Sequence, residues 1–112
     1  WSWTDNDGSP EDALHRDEML DNVMLYWATN SATSSARLYW ESFTSFRPAP
    51  VTVPTGVAHF PKEIFSPVRS WAESAYTDIR QWTKMPRGGH FAAFEQPDLF
   101  VEDVRSFFAQ VR

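Results

Sequence analysis

Between Leu14 and Ala28 the apolar residues Leu20, Val23, Met24 and Trp27 recur at spacings of three and four, the stripe of an amphipathic helix. A second helix is expected from Ser34 to Phe46, "SSARLYWESFTSF", whose aromatics read as packing residues. The texture then changes. Pro48, Pro50 and Pro54 exclude helix, while Val51, Thr52 and Val53 favour a short strand ending near Pro54 and Gly56. "SPVRSWAESAY" reads as a helix with Ser66 as N-cap and Pro67 at its first position. "DIRQWTKM", Asp78 to Met85, reads as a second strand that runs into a glycine loop. Pro97 opens a last helix with Phe100, Val104, Phe107, Phe108 and Val111 on one face. Residues 1–13, polar and carrying Gly8 and Pro10, read as loop.

Residues 47–112 thus alternate strand, helix, strand, helix, the order that gives parallel pairing through crossover helices. Two parallel strands make a poor independent sheet, because such sheets are normally covered on both faces and built from more strands. The pattern is that of the end of a larger α/β domain preceded by a two-helix excursion. The opening residue, Trp1, is not a translation start, so further chain is expected upstream.

Composition narrows the function. A chain of 112 residues that is 42% hydrophobic and 16% aromatic suffices for one packed domain. Fifteen acidic against ten basic residues give a net charge of −5, which argues against nucleic acid as a partner, since phosphate binding needs a basic face. Without cysteine there is neither a disulfide scaffold nor thiolate chemistry, consistent with an expected cytoplasmic location. The apolar runs are too short to span a membrane, and no signal peptide is visible. "DNDG", Asp5 to Gly8, fails as a calcium loop because Ser9 and Pro10 take the places where the EF-hand pattern needs a ligand and a glycine. It reads as a surface turn, and neither metal nor cofactor is expected.

Functional groups of open α/β sheets gather in the loops after the carboxyl ends of strands. His90 lies on such a loop, behind Gly88 and Gly89, which let the backbone turn tightly. The other strand leads into "VAHFPKEIF", where Glu63 could accept a bond from one His90 nitrogen and stabilise the imidazolium formed on proton abstraction. Acid then histidine, in that order on the last two strand loops, is the back half of an α/β-hydrolase triad. No G-x-S-x-G elbow supplies a nucleophile. His59, before the apolar Phe60, reads as a packing or turn residue, and His15 is given no role.

"DNVMLYW" (Asp21–Trp27), "SSARLYWE" (Ser34–Glu41), "VPTGVAHFPKEIF" (Val53–Phe65) and "MPRGGHFAAFEQPDLFVEDVRSFF" (Met85–Phe108) together resemble the C-terminal quarter to third of the microsomal-type epoxide hydrolases, members of the α/β-hydrolase superfamily. The resemblance implies an α/β fold in which residues 1–46 are the C-terminal part of a helical lid and residues 47–112 the end of the core. It implies that His90 is the general base, Glu63 the triad acid after the seventh strand, and Tyr39 one of two lid tyrosines that hydrogen-bond the epoxide oxygen. On its own, Tyr39 reads as an ordinary helix aromatic.

The implied reaction has two steps. An aspartate opens the strained ring to give an alkyl ester, and His90, oriented by Glu63, then activates water to release a vicinal diol. The nucleophile, the oxyanion hole and the second lid tyrosine belong to segments not present in these residues. The implied partners are therefore an epoxide, water and the N-terminal part of the enzyme, with a homo-oligomer left open. Two other readings stand beside this one: a related esterase or dehalogenase using the same acid and base, and a non-catalytic fragment or interaction module.

Overall fold

The computed structural model describes residues 3–43 and 49–112. Its sheet consists of two parallel strands, β1 (Thr55–His59) and β2 (Ile79–Lys84), with Val57 opposite Trp82 and His59 opposite Lys84. β1 starts later than Val51–Val53, the strand expected from the sequence. Pro54 has no N–H to donate and interrupts the ladder. Val51 forms only an isolated bridge to Tyr76, its N–H donating to Ala75 O at 2.7 Å and its carbonyl accepting from Thr77 N–H at 3.0 Å. Gly56 does not end the strand but lies within it. A Cβ there would stand 2.8 Å from Cδ2 of Phe107, so the bare backbone makes room for that ring.

Phe107 belongs to α5 (Pro97–Gln110), which opens at Pro97 as expected and packs on both strands. Gln81 ties the helix to β2: its amide donates to Asp103 O at 3.0 Å, and its Oε1 accepts from Gln110 at 2.7 Å. The expected apolar face is only partly covered, for Phe108 remains exposed. The crossover helix is shorter than expected. α3 covers Arg69–Ala72 with Val68 at its N-cap, and Ser66, the expected cap, places its hydroxyl 3.2 Å from His59 Nε2. A short helix that the sequence does not announce, α4 (Ala92–Glu95), fills the space between the glycine loop and α5.

The described residues fall into two compact units. The first joins residues up to Ala13 to residues 49–112, so its opening segment, with one 3-10 turn at Pro10–Asp12, belongs with the strands. The second, residues 14–48, holds α1 (Arg16–Thr29) and α2 (Ala32–Ser42). α2 starts two residues earlier than expected, and the expected end at Phe46 lies outside the described residues. His15 caps α1: its Nδ1 accepts from Asp17 N–H at 3.3 Å, while Glu18 Oε2 accepts from His15 N–H at 3.0 Å. Asn30, at φ 52°, closes α1 in the left-handed conformation. Burial is sparse. Among the described apolar residues only Leu14 and Phe60 are buried, and Trp40 is 86% exposed.

Candidate active site

β1 and β2 run the same way, so the loops after their carboxyl ends emerge side by side. They stay joined beyond the sheet. Met85 N–H donates to His59 O at 2.8 Å, Lys62 N–H donates to Gly88 O at 3.1 Å, and Lys62 pairs with Gly89 as a parallel bridge. Gly88 takes φ 112°, where a side chain is strained, and a Cβ there would come within 2.6 Å of the Phe60 ring. Phe60, 5% exposed, is the floor on which this turn rests.

This zipping brings Glu63 and His90 together, with His90 Nδ1 2.6 Å from Glu63 Oε1 across 27 positions of sequence. Partial burial pushes the Glu63 carboxyl up. The bond from His90, the backbone N–H of Ile64 at 2.7 Å, the His90 charge and the N–H of Phe65 together outweigh it, holding the carboxyl below its ordinary 4.5. At neutral pH Glu63 is thus ionised and acceptor-only, so the shared proton resides on His90 Nδ1. Nε2 is then the nitrogen able to take a proton. The pair is about one-third exposed, open enough for water to reach.

Three contributors to this site were not found in the sequence. Trp3 O accepts the backbone N–H of His90 at 3.1 Å, and the Trp3 ring meets the imidazole edge-on at 5.1 Å. Asp5 Oδ2 accepts from Gly88 N–H at 2.8 Å. Glu95, 7% exposed, accepts from the N–H groups of Asp5, Gly89 and Phe91 at 2.8, 3.0 and 3.1 Å. The available signal was local: a glycine turn exposes successive N–H groups, and an acid four to six residues on, in "GGHFAAFE", can fold back to accept them.

The remaining candidates separate. His59, read as a packing or turn residue, is instead the last residue of β1; its ring bonds Ser66 and its carbonyl accepts from Met85 N–H. Tyr39 lies on α2 in the second unit, 67% exposed. No cluster of metal-ligating side chains occurs among the described residues, and no described helix is long and apolar enough to cross a membrane.

No protein-family model matches the chain. Individual proteins do. It is 52% identical over 111 residues to a putative epoxide hydrolase of Stigmatella aurantiaca, spanning 98% of this chain and 25% of that one. It is 40% identical over 107 residues to epoxide hydrolase 1 of Sus scrofa, covering 90% of this chain and 24% of the relative. Among solved structures, the juvenile hormone epoxide hydrolase of the silkworm Bombyx mori superposes with a TM-score of 0.78 at 37% identity, over 84% of this chain and 25% of that one. The chain therefore spans about a quarter of the length of the relatives it matches. Over that quarter it is homologous to the epoxide hydrolases and shares their α/β-hydrolase fold.

Proposed function

We propose that this chain supplies the base, its acid partner and a lid phenol of an epoxide hydrolase, acting with a nucleophilic aspartate from a segment outside these residues. The observation that carries the reading is the 2.6 Å bond between His90 Nδ1 and Glu63 Oε1. It orients the imidazole with Nε2 as proton acceptor and provides a carboxylate to balance the imidazolium.

In the first step the aspartate attacks one epoxide carbon, the C–O bond breaks, and the oxygen leaves as an alkoxide. Tyr39 acts there. A phenol keeps its proton at neutral pH, where carboxylates are ionised, and can donate to that oxygen. In the second step a water loses a proton to His90 Nε2 while its oxygen attacks the ester. The acyl C–O bond then breaks as the water's second proton passes to the departing oxygen, and the aspartate carboxylate is regenerated. The proton on His90 returns through water to the Tyr39 phenolate, and the vicinal diol departs. Glu63 holds the imidazole throughout. Of residues 1–46, expected as lid, the part from Leu14 onward that carries Tyr39 serves as lid in this reading, while the residues up to Ala13 belong with the strands.

The test uses the product of the complete reading frame and a styrene-type epoxide. Diol formation is expected, with a covalent ester trapped in His90→Gln and almost no diol released from it. Normal turnover by His90→Gln refutes the assignment of the base.

A further inference from the structure

We propose that Glu95 is a positioning residue for His90. The inference rests on the reading of His90 as base and concerns how that base is kept in place. Four successive backbone N–H groups, from Gly88 to Phe91, are each held by an acceptor. Gly88 donates to Asp5 Oδ2, Gly89 to Glu95 Oε2, His90 to Trp3 O and Phe91 to Glu95 Oε1. Glu95 thus grips the residue on either side of the imidazole. Its Oε2 also takes the N–H of Asp5, the residue that holds Gly88. One buried carboxylate closes the whole arrangement.

Its chemistry suits the task. An ionised carboxylate accepts at both oxygens and presents no hydrogen, so it can serve three N–H donors at once, whereas an amide would turn an NH2 toward at least one of them. A buried carboxylate is tolerated only with partners of this kind. α4 supplies the placement, since the Glu95 N–H donates to Phe91 O at 2.9 Å and folds the carboxylate back onto the loop that precedes it. Gly89 allows the close approach, for a Cβ there would stand 2.9 Å from the Thr4 and Asp5 backbone. A shift of the loop by about 1 Å would lengthen the His90–Glu63 bond and misdirect Nε2, a displacement that can cost about a hundredfold in rate.

The test compares wild type, Glu95→Gln and Glu95→Asp in the product of the complete reading frame, with styrene oxide as substrate. Glu95→Gln is expected to lower kcat about 10- to 100-fold and KM in step with it, leaving kcat/KM near the wild-type value because ester formation is untouched. Quenched-flow mass spectrometry should show the ester forming at the wild-type rate and decaying slowly. The low-field proton of His90 Nδ1, identified by its absence from His90→Gln, should broaden or move upfield in Glu95→Gln and return in Glu95→Asp. Ester decay and proton signal both at wild-type values in a folded Glu95→Gln overturn the proposal, as does an equal slowing of ester formation and decay. If wild type forms no ester, the epoxide reading fails. The low-field proton then decides by itself whether Glu95 positions His90.

Discussion

The backbone N–H of Gly88 donates to Asp5 Oδ2 at 2.8 Å although 83 positions separate the two residues. Asp5 in turn donates its own N–H to Glu95. Hydrogen bonds to a charged acceptor contribute about 1.5–3 kcal/mol. Asp5→Ala should therefore lower the stability of the complete protein by about 1–2 kcal/mol, read by urea denaturation, with Asp5→Asn milder. An unchanged midpoint in Asp5→Ala would show that the opening segment does not brace the loop.

Gly56 and Phe107 should behave as a coupled pair. Gly56→Ala pushes a methyl into the Phe107 ring and should cost about 1–3 kcal/mol, the range for overpacking. Combining it with Phe107→Leu should recover part of that loss, so the double-mutant cycle is expected to be non-additive. Simple additivity contradicts the packing.

Gly88 gives a contrasting result. Gly88→Ala meets Phe60, which a smaller residue at 60 could relieve, but it also sets a side chain at φ 112°, which no neighbour can relieve. Adding Phe60→Leu should therefore fail to rescue Gly88→Ala. Recovery in thermal unfolding would show that contact alone was at fault.

Glu63 predicts a pH dependence. Its folded pKa lies below 4.5, so the unfolded chain binds the proton more readily. The stability it contributes is fully present above about 4.5 and is lost as pH falls through the depressed folded value. Denaturation curves between about pH 3 and 7 should show that loss in wild type and a weaker dependence in Glu63→Gln. Equal slopes exclude the pairing as a source of stability.

Tyr39 separates the two chemical steps. Under the proposed mechanism Tyr39→Phe removes a donor to the leaving oxygen and should slow ester formation about 10- to 100-fold while leaving ester hydrolysis intact. Single-turnover kinetics resolves the two, and a slowed hydrolysis step with normal formation would overturn the role.

The parts legible in sequence were those governed by local rules. Pro97 at a helix start, the helix α1 and the strand β2 each depend on neighbours a few positions away, and each element appears where expected, although the apolar stripe of α1 stays exposed. The Glu63–His90 pair was readable because chain order and strand-loop position already restrict where an acid and a base can meet. The misreadings at Gly56 and Ser66 have one cause. A glycine that looks like a strand end is clearance for an aromatic on a distant helix, and a serine that looks like a cap bonds the histidine that ends β1. Trp3, Asp5 and Glu95 went unseen because their partners are backbone N–H groups, which every residue carries and no residue type advertises.

The first unit closes on itself across a gap in numbering: the polypeptide departs after Ala13 and rejoins at Ala49. An excursion bounded in this way behaves as an exchangeable appendage. Its length and composition can change without touching the hydrogen bonds that fix the Glu63 and His90 loops, since Trp3, Asp5, Glu63, His90 and Glu95 all belong to the first unit.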